Sequence, residues 1–180
     1  MALLSGSKFR RDEIADWYDQ HSKAILSYIL FMVKDYQQAE DLTQDTFVKA
    51  YKYHDSFKQQ SSERTWLFSI AHNVTIDFIR KKKPSMFLKD VLHLQKDTKP
   101  LPEEVIQLQG DSYELYKALG EIKSTYREVI ILRKIKDFSI EDTAKILSCS
   151  ESKVKSMLFR AMPVLKKQLI RGGFLDGKAI

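Results

Sequence analysis

Apolar residues recur at intervals of three and four along most of this chain, and no stretch of useful length alternates every second residue. That spacing is the stripe of an amphipathic helix, so the chain is expected to be all-α. From Ile14 to Val33 the stripe runs through Ile14, Trp17/Tyr18, His21, Ala24/Ile25, Tyr28/Ile29 and Met32/Val33, one long first helix. A second helix begins near Tyr36 with Ala39, Leu42/Thr43, Thr46/Phe47 and Ala50/Tyr51 inward, which leaves Asp41, Gln44, Asp45 and Val48 together on the opposite face. Residues 55–62 are polar and aperiodic and read as a loop. Ser62 followed by Glu63 has the form of a cap and first turn. The third helix carries Trp66, Leu67, Ile70, Val74 and Phe78 and is expected to run to about Lys82. Its end is marked by the cations Arg80 to Lys83 and by Pro84, since the residue before a proline disfavours helix.

Three of the four prolines fall between Pro84 and Gly110, where apolar residues are too scattered to face a core, so 84–110 reads as a flexible linker. Helical signals return after it. Asp111 with Glu114, Thr125 with Glu128 and Ser139 with Asp142 each place an acid three residues beyond an N-cap type. They predict helices near 111–120, 125–136 and 139–147, with a last helix after Ser150. The expected organisation is two small helical domains, 10–83 and 111–171, with an unordered tail after Gly172.

The net charge of +6 and a pI near 9.2 favour a polyanionic partner. The excess sits in residues 111–180, with 14 basic and 9 acidic side chains. The single cysteine, Cys149, supports neither a disulfide framework nor a cysteine zinc cluster, in keeping with a reducing cytoplasm. His21, His54, His72 and His93 are dispersed, and no glycine cluster builds a phosphate loop. Neither metal nor cofactor is expected, and the function is not expected to be enzymatic. No apolar run reaches the roughly 18 residues of a membrane span, and the first nine residues lack a signal-peptide core, so a cytoplasmic protein without membrane insertion is expected.

Residues Phe138 to Leu169 have the organisation of a helix-turn-helix: Ile140, Ala144 and Leu147 inward on a short helix, the polar turn Ser148-Cys149-Ser150, then Val154, Leu158, Ala161 and Leu165 inward on a second. Small Ala144 suits the helix crossing, and Cys149 reads as a packing residue. The outer face presents Lys153, Lys155, Ser156, Phe159 and Arg160, which suit a major groove: cations for phosphate or guanine, a hydroxyl for either, an aromatic for thymine methyls. Pro163 is expected to kink this helix or to begin a new segment.

In the first half, Phe57, Trp66, Phe68 and Phe78 lie near Arg64, Arg80 and Lys81, aromatics with cations, as a single strand requires. Trp66, Ile70 and Phe78 read as core, which leaves Phe57 and Phe68 as the expected exposed stackers. Asn73 can pair with the edge of an unstacked base.

These motifs resemble the extracytoplasmic-function (group 4) sigma factors of the sigma-70 family. Ala39 to Tyr51 resembles the A-E-D-L-x-Q-[DE]-x-F pattern of region 2, Trp66 to Arg80 resembles W-L-x-x-I-A-x-N-x-x-x-D-x-x-R, and Val154 to Ala161 resembles V-K-S-R-L-x-R-A of region 4. Met157 and Pro163 depart from the pattern. The resemblance implies that Asp41, Gln44, Asp45 and Val48 face core RNA polymerase. It implies that Phe57, Asn73, Asp77, Arg80 and Lys81 serve the melted −10 element, and that Lys153, Lys155, Ser156, Phe159 and Arg160 read the duplex −35 element. It also implies an anti-sigma partner. The competing reading is a stand-alone helix-turn-helix regulator, which would leave the Asp41 to Val48 stripe without a role.

Overall fold

In the computed structural model, backbone is described for residues 2–91 and 111–173 and side chains for 8–82 and 113–173; within these every regular element is helical. Helix α1 (Ala2–Val33), α2 (Tyr36–Tyr53) and α3 (Glu63–Val91) pack on one another. α1 and α2 meet at a tight corner, where Lys34 takes φ 59 and Asp35 caps α2 by accepting from the Gln38 amide at 3.2 Å. Ser62 caps α3 through the Thr65 amide at 3.1 Å. Contrary to expectation, α3 does not stop before Pro84 but continues to Val91. A proline inside a helix deletes one hydrogen bond, here to the Arg80 carbonyl, while its fixed φ remains helical, so the rest of the ladder survives. The expected 84–110 linker therefore begins inside a helix, and 92–110 and the tail beyond Gly173 lie outside the described residues.

The second half comprises α4 (Asp111–Gly120), α5 (Ser124–Ile130) running into a π-helical turn (Ile131–Ile135), α6 (Ile140–Ile146) and α7 (Glu151–Arg171). α4, α5 and α6 all pack on α7. Ser139 caps α6 through the Asp142 amide at 2.9 Å, and Ser150 caps α7 through the Lys153 amide at 3.2 Å. Between them Ser148 turns the corner at φ 49 and Ala144 is buried at the crossing. The expected Thr125/Glu128 cap does not form: Lys123 precedes α5 without a side-chain cap, and Glu128 is buried. At Pro163 no new segment begins. α7 passes through it with Pro163 and Phe159 both on the solvent side, where a displaced carbonyl can still bond water.

The two helical domains pack on one another. Their buried residues form one apolar cluster, with α3 packed on α6 and α1 packed on α4, α5 and the π-helical turn. Phe68 of α3 lies fully buried between Tyr28 of α1, 5.5 Å away, and Phe138 at the head of α6, 4.8 Å away. Burying an aromatic of this size removes 150–250 Å² or so from water, which at ~25 cal/mol per Å² makes this ring a leading contributor to the seam.

Candidate nucleic-acid interface

Two exposed faces and one buried seam carry the chemistry of the molecule. On α7, Val154, Ala161 and Leu165 point into the core. The 3.6-residue period then turns Lys153, Lys155, Ser156, Phe159 and Arg160 outward, and all five are exposed. Phe159 is 82% exposed, a large apolar ring held in water on a face otherwise made of cations and a hydroxyl. The Ser150 cap fixes where this face begins, so the first turns of α7 are aimed as a unit. Cys149 in the turn is half-buried and burial pushes its thiol up, which agrees with packing and against a reactive thiolate.

On α3, Asn73, Asp77, Arg80 and Lys81 fall at spacings of four, three and one and are all exposed, a strip running toward the cationic end of the helix. Two aromatic expectations are corrected. Phe68 is fully buried, not exposed, because its position on α3 faces the second half of the molecule. Phe57 is half-buried in a cluster with Trp17, 5.4 Å away, and Trp66, 5.1 Å away, so its ring is part of the packing that anchors the 55–62 loop. Arg64 is likewise committed: its guanidinium lies 4.0 Å above the Phe138 ring and donates to the Lys136 carbonyl at 2.5 Å. Its charge serves the seam, whereas Arg80 and Lys81 of this strip are exposed.

On α2, Asp41, Gln44, Asp45 and Val48 are exposed, with Val48 66% exposed, while Leu42, Thr43, Thr46 and Phe47 are buried behind them. The outward stripe is acidic in an otherwise basic molecule. It is separate in sequence and in helix from both cationic strips.

The seam holds what sequence reasoning missed. Glu128, 4% exposed, accepts from the Tyr28 hydroxyl at 2.5 Å and lies 2.6 Å from His72 Nδ1. Burial, reinforced by that carboxylate, raises the Tyr28 phenol well above its usual range. Arg127, 9% exposed, donates to the carbonyls of Leu119, Gly120 and Ile122 and, across the seam, to that of Met32 at 2.9 Å. Lys136 donates to Ser27 Oγ at 3.1 Å, and desolvation with Arg64 nearby lowers its ammonium to about 8. Thr65 donates to Asp142 at 3.1 Å. A signal for Glu128 was present: it sits three and four residues before Ile131 and Leu132, both fully buried, so it shares their stripe.

Among the described residues no cluster of His, Cys, Asp or Glu could hold a metal, and no helix is long and apolar enough to cross a membrane.

Comparison with known proteins adds an independent line. Residues 17–84 match Sigma-70 region 2 and residues 112–162 match Sigma-70, region 4. The chain is 37% identical over 167 residues to the ECF RNA polymerase sigma factor SigX of Bacillus subtilis (strain 168), covering 88% of this chain and 86% of that one. It is 37% identical over 163 residues to the RNA polymerase sigma factor YlaC of the same organism, covering 89% and 94%. Among solved structures it resembles the sigma factor RpoE of Bartonella quintana in complex with the anti-sigma factor NepR, with a TM-score of 0.72 and 28% identity over 87% of this chain and 96% of that one.

Proposed function

Because the chain belongs to the extracytoplasmic-function RNA polymerase sigma factors of the sigma-70 family, we propose that its exposed faces divide promoter recognition and polymerase binding among them. The observation that carries this reading is the α7 face: five outward side chains of groove-reading type on a Ser150-capped helix inside the segment that matches region 4. Lys155 and Arg160 supply phosphate contact or guanine readout at the −35 duplex. Ser156 and Phe159 supply a hydroxyl and an apolar contact, and Lys153 tracks the backbone. On α3, Asn73 pairs with an unstacked base of the −10 element, Asp77 flanks it, and Arg80 and Lys81 hold phosphates of the melted strand. Phe57, from within its aromatic cluster, shapes the loop that precedes this helix. The Asp41, Gln44, Asp45 and Val48 stripe docks on core polymerase, giving an acidic patch a purpose in a basic protein.

In this reading the working units are 10–83 and 111–171, the first ending in a helix that continues past its last binding residue. The protein acts in the cytoplasm, performs no chemistry of its own, and is silenced by an anti-sigma factor covering the polymerase-binding surfaces; the similar sigma factor RpoE has been solved in complex with an anti-sigma factor, NepR. The stand-alone regulator is disfavoured because it leaves the region 2 match and the α2 stripe without function. Purified chain added to core polymerase on genomic fragments is expected to give initiation at discrete promoters. Transcription indistinguishable from core enzyme alone would overturn the assignment, and tight operator binding by the isolated chain would favour the regulator.

A further inference from the structure

One line of α1 carries Arg10, Glu13, Trp17 and His21, at spacings of three, four and four, and each of these side chains touches the connection between α2 and α3. Arg10 donates to both carboxylate oxygens of Asp55, at 2.6 and 2.5 Å. Glu13 Oε2 lies 2.7 Å from Nε2 of His54, which opens the short helical turn His54–Ser56. An ionised carboxylate only accepts, so the imidazole donates. Trp17 packs on Phe57 at 5.4 Å and on Trp66 at 5.9 Å. At the far end His21 Nε2 faces Glu63, the first residue of α3, across 3.6 Å, and among the described residues that buried nitrogen has no hydrogen-bond partner. The connection is thus tied to α1 by a carboxylate–imidazole pair at each end and by a ring between them.

The residues between those ends are open to solvent: Lys58, Gln59 and Gln60 are exposed, and Gln59 takes φ 53. A segment with so little burial opens locally at small cost, so contacts at its ends decide where it rests. Trp17 supplies burial without direction, whereas the polar pairs on either side of it are directional and fix the register of the segment on α1. The segment also lies at the head of the α3 strip. Trp66 is seven residues, or two turns, before Asn73, on the same side of α3 and about 10 Å away along the axis. At ~3.4 Å per nucleotide, about three nucleotides separate a base at Asn73 from one passing Trp66, so one melted element reaches both. Resting on the functional reading above, we propose that Arg10, Glu13 and His21 are positioning residues for capture of the −10 strand: from one line of α1 they hold both ends of the connection 54–63, and so fix its place at the head of the strip that takes the unpaired bases. None of the three touches the strand itself. They act through His54, Asp55 and Glu63.

The test uses the full chain assembled with core polymerase and two labelled probes from a promoter found by the initiation assay, a single-stranded −10 oligonucleotide and a −35 duplex. Glu13→Ala and Glu63→Ala remove partly exposed side chains and open no cavity in the core. Each is expected to weaken binding of the −10 strand at least threefold, and the two together at least tenfold, with −35 duplex affinity within about twofold of the parent and helix content unchanged. His54→Glu, which sets two carboxylates against each other, is expected to match Glu13→Ala. Adding Glu13→His to it exchanges the partners and is expected to restore strand binding to within about twofold of the parent. Both tryptophans of the chain lie in this anchor, so the emission of the free chain reports it. A shift to longer wavelength is expected in the cut variants, and its reversal in the exchanged pair. A contact that only supports the fold would lower strand and duplex binding together. Full strand affinity in the doubly cut variant, or equal losses for strand and duplex, overturns the proposal. Absence of promoter-specific initiation by the unmodified chain would instead remove the sigma-factor reading beneath it.

Discussion

The outward face of α7 and the seam between the two halves draw on the same residue types and put them to opposite use. Lys153, Lys155 and Arg160 keep their charges in water on one side of a helix whose other side is core. Arg127, Glu128 and Lys136 lie within a short run of α5 and the turn after it, and their charged groups bond across or beside the boundary between halves. A charged residue in a helical sequence thus says little about exposure. Its phase relative to the apolar stripe says much more.

The largest test of that contrast compares two phenylalanines. Phe68 is fully buried in the seam and Phe159 is 82% exposed on α7. Phe68→Ala removes a ring with tightly packed neighbours and is expected to cost about 3–5 kcal/mol of unfolding free energy. Phe159→Ala is expected to stay within about 0.5 kcal/mol of the parent while weakening −35 duplex binding. Urea unfolding of both variants beside a duplex-binding titration measures each effect. Equal stability losses would mean that the two faces are not distinct.

Next comes the pH dependence of the seam. The Lys136 ammonium is lowered from 10.5 to about 8, first by burial and then by Arg64. With its folded pKa below its unfolded one, the unfolded chain binds more protons between these values, so stability rises as pH increases from about 8 to about 10.5. The charged form burdens the folded state below that window by up to about 3 kcal/mol. Lys136→Met is expected to flatten this part of the stability profile and to be more stable at neutral pH, as followed by urea midpoints across the window.

Smaller effects separate the two kinds of contact on α7 itself. Arg160→Ala is expected to lower affinity for a −35 duplex by about 1–3 kcal/mol and to relax base preference at one position. Lys153→Ala is expected to weaken all sequences alike and to reduce the salt slope of binding by about 1. Competition titrations at several salt concentrations distinguish them.

What the sequence disclosed follows the same division. The helices, the Ser139 and Ser150 caps and the outward five of α7 were legible because each depends on local spacing. Pro84 misled because a proline's cost is local and finite, and at Pro163 too the helix continues, so no new segment begins there. Phe68 and Glu128 were misplaced because their surroundings come from the other half of the chain. Phe68 faces Phe138, and Glu128 meets Tyr28, 100 residues away in sequence. The Thr125/Glu128 pair had the spacing of a cap, but the buried stripe through Ile131 and Leu132 decided the orientation of that helix. Local spacing discloses the core stripe and the outer face of each half, whereas the contacts between the halves leave no local pattern to find.

The smallest predicted difference is between two caps of the same chemistry. Ser139 and Ser150 each accept from the amide three residues on, so replacing either with alanine is expected to cost about 1 kcal/mol of stability. Their surroundings differ. The Ser139 hydroxyl also donates to Asp142 Oδ2 at 2.7 Å, while Asp142 Oδ1 accepts from Thr65 across the seam at 3.1 Å. Ser150 caps the helix whose outer face is open to solvent. Ser139→Ala is therefore expected to loosen the seam, read as faster amide hydrogen exchange at its buried residues, while −35 duplex affinity holds. Ser150→Ala is expected to leave that exchange unchanged and lower duplex affinity by about threefold, because the first turn of α7 loses its fixed aim. Identical behaviour of the two variants in both measurements would show that seam and reading face are one mechanical unit.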